Sequence, residues 1–269
     1  MNKKIGVLGC GWLGFPLAKY LVANKHHVYG STTSIDKLDL LKENGIHPFH
    51  ISLSTTEIKG DIQSFLSNIE ILIINIPPRL RGNNTESFVD KITLLHAEVK
   101  KSPVKKLIFI SSTSVYGNVD GTVTEATVPK PSTASGRQLL ECEERFLSDE
   151  SLNTTIIRFG GLIGPNRHPV TMLSKRSNLN NGDSPINIIH LDDCIHMIST
   201  IIENDYWNEV FNGVYPLHPS KKEYYTAEAQ KRGLPAPDYL HNSSNNSNKI
   251  VINQNFIDKS HQLHTSIVS

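Results

Sequence analysis

Ile5-Gly6-Val7-Leu8-Gly9-Cys10-Gly11-Trp12-Leu13-Gly14 joins a short apolar run to a Gly-x-Gly-x-x-Gly spacing, and Leu13, Leu17 and Leu21 then recur at helical intervals. That order predicts strand, glycine turn and helix. Each glycine has its own physical task in such a unit. Gly9 allows the tight turn, Gly11 lets backbone approach a pyrophosphate, and Gly14 lets the helix pack closely on its strand. The helix start aims free N–H groups at the phosphates. Gly9, Gly11, Trp12, Leu13 and Gly14 are therefore the expected cradle of a dinucleotide.

Outward from this turn the chain alternates strands and helices. His27–Ser31 reads as a second strand. Ser34 can cap a helix carrying Ile35, Leu38 and Leu41 on one face and ended by Gly45. Ile46–Ile51 reads as a third strand. Ile71–Ile76 is a near-continuous β-branched run, as in a parallel strand covered on both faces, and Pro77-Pro78 ends it. Phe88, Ile92, Leu95 and Val99 mark a helix, Leu107–Ile110 a fifth strand, Gly136–Leu147 a helix and Thr154–Arg158 a sixth strand. The expected fold is α/β, a Rossmann-like doubly wound parallel sheet with right-handed crossovers.

Beyond Gly160 the rhythm loosens. Gly160–Pro169 is loop-rich, Asn178–Pro185 is turn-prone, and Pro185–His190 reads as a short strand. Asp192 and Asp193 suit the first turn of a helix with Ile195, Ile198 and Ile202 on its core face. Ser220-x-x-Glu223 is a capping box for a helix that Gly233 ends. His241–Asn248 is a polar loop. Residues 1–160, with a return near 186–212, are expected to form the dinucleotide domain. Residues 161–185 and 213–269 form a smaller substrate lobe, since 269 residues suffice for one large domain and a lobe.

Composition excludes several functions. A net charge of +1 offers no electrostatic footprint for nucleic acid or an anionic membrane. Cys10, Cys142 and Cys194 are odd in number and show no C-x-x-C spacing, which fits small packing residues in a reducing, cytoplasmic setting. No apolar run is long enough to span a bilayer, and the chain enters a strand at once without a signal peptide. The twelve histidines have no acidic or cysteine ligand set at usable spacing, so no metal is expected. Gly-x-Ser-x-Gly and Gly-Lys-Ser/Thr motifs are absent.

Ligands of doubly wound sheets lie beyond the carboxyl ends of the strands. The further cofactor candidates are accordingly Thr32 and Thr33, Leu53, then Asn75, Ile76 and Pro77, then Ser111, and finally Phe159 and Gly160. An acid about 20 residues past the glycines normally holds an adenosine ribose. Here that neighbourhood is Ser31-Thr32-Thr33-Ser34, which would not repel a 2′-phosphate. This favours NADP, with NAD also possible, because hydroxyls accept either nucleotide and no arginine stands ready to clamp the phosphate. The same hydroxyls could equally serve only to cap the helix.

Ile110-Ser111-Ser112-Thr113-Ser114-Val115-Tyr116-Gly117, then Pro131–Arg137 and Glu141, then Arg158–Pro165 and Ile188–Asp193, resemble extended short-chain dehydrogenase/reductases of the epimerase/dehydratase group. The resemblance runs from the glycine turn to about Gly233. It implies that Ser112 orients a substrate hydroxyl or carbonyl, and that a Tyr-x-x-x-Lys pair moves the proton and holds the nicotinamide ribose. Anchored on Glu141, the lysine position falls on Arg137 and the tyrosine position on Thr133. A threonine hydroxyl titrates far above working pH and cannot replace a phenol; Arg137 can hold ribose hydroxyls but cannot give up a proton. Tyr116 is the alternative acid, or a wall residue; Ser112 is a ligand contact, or a loop-capping hydroxyl. Arg158 and Arg167 could clamp an anionic substrate or simply lie solvated. The resemblance also implies a homodimer through helices flanking the sheet. Two functions follow: an NAD(P)-dependent oxidoreductase or epimerase-like enzyme on a small polar, sugar-derived substrate, or a non-catalytic dinucleotide-binding redox sensor.

Overall fold

The computed structural model describes residues 2–78, 86–240 and 248–268. Strands β1 (Lys4–Leu8), β2 (His27–Thr32), β3 (His47–His50), β4 (Ile71–Ile74), β5 (Lys106–Ser112), β6 (Asn153–Phe159) and β7 (Val210–Gly213) form one seven-stranded sheet in the order β3-β2-β1-β4-β5-β6-β7. Every pairing in it is parallel. The order reverses at β1, so the crevice beyond the carboxyl ends of β1 and β4 is the place for a ligand. The α/β, Rossmann-like expectation holds.

Period-two alternation explains how the sheet is covered on both faces. Ile5, Val7, Ile71, Ile73 and Ile108 point to one side, where they pack with Leu17 and Leu21 of α1 (Gly14–Ala23) and Leu41 of α2 (Leu38–Glu43). Leu8, Leu72, Ile74, Leu107 and Phe109 point to the other. There they meet α3 (Ile62–Ser67), α4 (Phe88–Lys100) and α5 (Ala134–Leu147) through Phe65, Leu95 and Phe146. The segment before β4 received no helix from sequence; α3 forms there, capped by Asp61, whose carboxylate accepts the Ser64 N–H at 2.9 Å.

The second half departs from the sequence reading in several places. Gly160–Pro169 is less irregular than expected: Gly161–Ile163 is a strand paired in parallel with Ile188–His190, too short to show periodicity. Only the last three residues of Pro185–His190 are strand. Ser34 makes no side-chain cap, and Ile35–Lys37 is a 3-10 turn leading into α2. After α6 (Val170–Leu173), helix α7 (Leu191–Glu203) packs beside α1 on the sheet, and α8 (Lys221–Lys231) opens with the expected capping box. Ile163, Val170, Ile188, Tyr224 and Tyr225 form a third core cluster, where the expected smaller lobe would lie.

The C-terminal part of 213–269 does not stay in that lobe. Phe256, in α9 (Gln254–Asp258), and Leu263 belong to the sheet core. Lys249–Val251 pairs with Gly121–Val123, and the His264 and Thr265 N–H groups donate to the buried Asp193 carboxylate at 2.9 and 3.0 Å. Asp193 thus tethers the chain end in addition to sitting in the first turn of α7. Residues 241–247 of the expected polar loop lie outside the described residues.

Candidate dinucleotide site

The glycine turn is built from three dissimilar requirements. Gly9 has φ +105°, and a Cβ there would lie 2.6 Å from the Asn75 carbonyl oxygen. A Cβ on Gly14 would lie 2.1 Å from the Gly9 carbonyl oxygen and 2.8 Å from Asn75 Nδ2. Both glycines are demanded by the fold itself. Gly11 is not: its φ is ordinary, and a Cβ built on it meets nothing within 4 Å.

The turn is braced from two sides. Ser31 Oγ accepts the Gly9 N–H at 2.9 Å, the Ser31 carbonyl accepts the Cys10 N–H at 2.8 Å, and Asn75 Nδ2 donates to the Gly9 carbonyl at 3.0 Å. Helix α1, in contrast, opens without a side-chain cap. The N–H groups of Trp12 and Leu13 donate to nothing among the described residues. Every other described helix of eight or more residues has its first turn capped, by Ser87, Thr133, His190 or Ser220. Orphan donors at a helix start beside an open glycine fit a dinucleotide pyrophosphate. The residues present therefore suit NAD(P).

The neighbouring candidates divide into two groups. Thr33 is exposed at the end of β2, and Asn75, Ile76 and Pro77 line the end of β4. Leu53 is half-buried in a small antiparallel pair with Ile58–Lys59. Gly160 follows β6, where a Cβ would lie 2.5 Å from the Asn187 carbonyl oxygen. Leu13 and Phe159, however, give their side chains to the sheet core, so only their backbone can reach a cofactor. Thr32 Oγ1 already accepts the Ser34 N–H at 3.1 Å. Trp12 turns toward the lobe: its Nε1 donates to the Pro165 carbonyl at 3.0 Å, and Arg167 stacks 4.8 Å from the ring centroid. Arg167 is thus committed to Trp12 in this state.

The catalytic candidates are rearranged. Ser112 ends β5 half-buried, and its Oγ accepts the Ser114 N–H at 3.2 Å while its own proton stays free to donate. Thr133 is the N-cap of α5, accepting the Gly136 N–H at 3.0 Å, and Arg137 is exposed with Nη1 3.2 Å from the Ser132 carbonyl. Tyr116 is fully buried. Its hydroxyl donates to Asn212 Oδ1 at 2.9 Å and accepts from Arg158 at 2.9 Å. Burial pushes its phenol up, and Arg158 only partly offsets this. The Tyr116 hydroxyl is thus taken up inside the protein by Asn212 and Arg158.

Arg158 and Ser111 share one buried network. β6 runs to Phe159, so Arg158 lies inside the strand, opposite Ser111 of β5. Arg158 makes a bidentate pair with the fully buried Glu143 of α5, with Nη2–Oε2 at 2.6 Å and Nε–Oε2 at 3.0 Å. Ser111 Oγ donates to the same carboxylate. Burial alone would pull the Arg158 guanidinium down, but Glu143 outweighs it and holds it up. The Arg158 guanidinium and the Ser111 hydroxyl are both taken up by the Glu143 carboxylate inside the protein. Glu143 and Asn212 were missed by the sequence reading, and Ser31 was read beside the ribose but not as a brace of the turn. Glu143 had left a signal, a charge on the apolar stripe Leu139, Cys142, Phe146 of α5.

Among the described residues no group of three or more His, Cys, Asp or Glu could hold a metal ion. No helix among them is long and apolar enough to cross a membrane.

Known proteins extend this picture. A model of the NAD(P)H-binding family matches residues 9–188. The protein YeeZ of Escherichia coli (strain K12) is 31% identical over 250 residues, 93% of this chain and 91% of YeeZ. UDP-glucuronic acid 4-epimerase from Bacillus cereus, solved in complex with NAD, has a TM-score of 0.79 at 19% identity, covering 98% of this chain and 93% of that one. UDP-glucose 4-epimerase from Thermotoga maritima, solved with UDP-glucose, has a TM-score of 0.78 at 19% identity, covering 98% and 94%. At these identities the two epimerases share the fold.

Proposed function

The chain belongs to the NAD(P)H-binding family, and from that premise we propose that it binds NADP(H) across the β1–α1 turn and works as an epimerase/dehydratase-like oxidoreductase. Its substrate is a small polar, sugar-like molecule presented to Ser112. Gly11 carries the reading: it is the glycine of the turn that the fold does not itself require. The absence of an acid at the end of β2, where Thr33 and Ser34 stand instead, supports NADP over NAD. The bound dinucleotide supplies hydride transfer at its nicotinamide. The chain contributes the free N–H groups of Trp12 and Leu13, the brace of Ser31 and Asn75, and a hydroxyl at Ser112 that can donate to a substrate oxygen.

The proton must travel differently from the relatives' usual route. Glu141 is exposed, whereas Glu143 is the glutamate that ties α5 to the sheet. Measured from Glu143, the Tyr-x-x-x-Lys spacing falls on Ser135 and Leu139; measured from Glu141, on Thr133 and Arg137. Neither register provides a phenol with an ammonium beside it. That observation favours a second reading, a protein that binds the dinucleotide as a redox signal without turnover.

NADPH and NADH titrations followed by nucleotide fluorescence test the first step, with NADPH expected to bind more tightly. NADPH oxidation across a panel of sugar-derived carbonyls, with wild type and Ser112→Ala, tests the second. Turnover that is lost in Ser112→Ala supports the enzyme; tight binding without any turnover supports the sensor. Failure of both nucleotides to bind ends both readings. A homodimer through the helices flanking the sheet belongs to the proposal and is checked by light scattering.

A further inference from the structure

A pocket of about 350 Å3 opens where the Gly164–Asn166 loop, the start of α7, helix α8 and the Ser266–Ile267 segment meet. That volume suits a small molecule. Five polar side chains line it: His168, His190, Tyr224, Glu228 and Arg232. His168, Tyr224 and Glu228 are themselves buried, so the polar wall is built into the fold.

The hydrogen bonds around this wall leave donors over. The Val170 N–H donates to His168 Nδ1 at 3.3 Å, so the ring proton sits on Nε2, 3.0 Å from the Tyr224 hydroxyl oxygen. Burial, with Arg232 adding to it, pulls His168 below its ordinary pKa and keeps the ring neutral. Tyr224 therefore accepts from His168, and its own proton finds no acceptor among the described residues. The same logic holds at His190. There the Asp192 N–H donates to Nδ1 at 3.2 Å, and the Nε2 proton has no partner among the described residues. Arg232 gives Nε and Nη2 to Glu228 at 3.3 and 3.2 Å, and its Nη1 donates to nothing among the described residues.

Glu228 decides which charge fits. It is the acid in the wall, and Lys231 at 3.3 Å and Arg232 share it. Asp192 lies at the Nδ1 edge of His190, 3.4 Å away, and is exposed. A dianion would be repelled by the Glu228 carboxylate, whereas one negative charge matches one guanidinium and two neutral donors. The remaining wall is apolar, from Ile163, Pro165 and Ile267.

We propose that this pocket binds a small organic monocarboxylate, whose oxygens accept from His190, Tyr224 and Arg232 and whose apolar body lies against Ile163, Pro165 and Ile267. It shares no lining residue with the Ser112 turn, so it requires neither the nucleotide nor the substrate of the proposed activity. Pro165 accepts the Trp12 Nε1 proton at 3.0 Å, which sets the pocket beside the glycine turn.

The test is calorimetric titration of the full chain with acetate, isovalerate and benzoate, each against its primary amide, and with inorganic phosphate. Saturable binding is expected for isovalerate or benzoate, with the amides and phosphate far weaker. Arg232→Met should weaken carboxylate binding about tenfold, as loss of one charge-assisted contact does. Tyr224→Phe, which keeps the ring, should weaken it about two- to tenfold. Lys222→Met, an exposed change on α8 away from the pocket, should leave it unchanged. No saturable binding of any carboxylate, or amides or phosphate binding equally well, overturns the proposal. So does unchanged affinity in both Arg232→Met and Tyr224→Phe, which would put the carboxylate elsewhere, the glycine turn included.

Discussion

Replacing each glycine of the turn by alanine separates what the fold needs from what the cofactor needs. In Gly14→Ala the new methyl meets the Gly9 carbonyl oxygen at 2.1 Å, a backbone atom that cannot swing aside. Overpacking of this kind costs about 1–3 kcal/mol. Gly9→Ala combines a 2.6 Å contact to the Asn75 carbonyl with a left-handed φ, which adds roughly 1–2 kcal/mol of backbone strain. For a chain of this size each kcal/mol lowers Tm by about 2–4 °C, so both variants should melt several degrees early. Gly11→Ala adds a methyl into space free of protein atoms and should stay within about 0.5 kcal/mol of wild type. Its cost appears only when a pyrophosphate approaches. Displacing one charge-assisted N–H contact is worth roughly 1.5–3 kcal/mol, which is about ten- to a hundredfold in Kd. The assay is a melting curve followed by an NADPH fluorescence titration on each folded variant. A Gly11→Ala protein that melts as early as Gly14→Ala, or that binds NADPH as tightly as wild type, would refute the assignment of the turn.

Glu143→Gln should be the most destabilising single change in the buried network, because it leaves Arg158 charged with no counter-ion; the expected loss is about 3–5 kcal/mol, read by denaturant unfolding. Tyr116→Phe should cost about 1–3 kcal/mol, by depriving Asn212 and Arg158 of a partner, while leaving NADPH affinity and any turnover per folded molecule intact; turnover abolished at full stability would reinstate Tyr116 as an acid. Burial holds His168 and His196 below the ordinary histidine pKa of 6.5, with Arg232 and His264 adding to it. The unfolded chain therefore binds protons that the folded chain refuses. Stability is expected to be full above pH about 6.5 and to fall as pH drops from there toward the lowered folded values, with a shallower decline in His196→Gln.

The contrast between what could and could not be read from the chain follows from the range of the interactions. Gly9, Gly11 and Gly14, the Ile71–Ile74 strand and the Ser220–Glu223 box are local patterns, in which each residue's neighbours along the chain decide its conformation. They were legible because propensity and spacing act within a few residues. The surroundings of Tyr116 and Arg158 were not legible for the opposite reason. Their partners lie 96, 42 and 15 residues away, and the register that sets Ser111 beside Arg158 depends on how β5 docks on β6. Reading β6 one residue short leaves Arg158 at the strand end, open to be a clamp or a solvated arginine, instead of inside the sheet between Ser111 and Asn212. Glu143 shows that some of this could have been recovered: a carboxylate among Leu139, Cys142 and Phe146 must find a cation inside, and Arg158 is the one arginine that also interrupts an apolar strand. Accepting that pair moves the anchor of α5 by two residues, and with it the positions from which a missing acid should be sought. The network also explains why the Ser112 turn can hold its place without a Tyr-x-x-x-Lys pair beside it. Ser111 is fastened to Glu143, Tyr116 to Arg158 and Asn212, and Gly117 to Lys249, so the segment carrying Ser112 is fixed at both ends by side chains from α5, β6, β7 and the Lys249–Val251 strand.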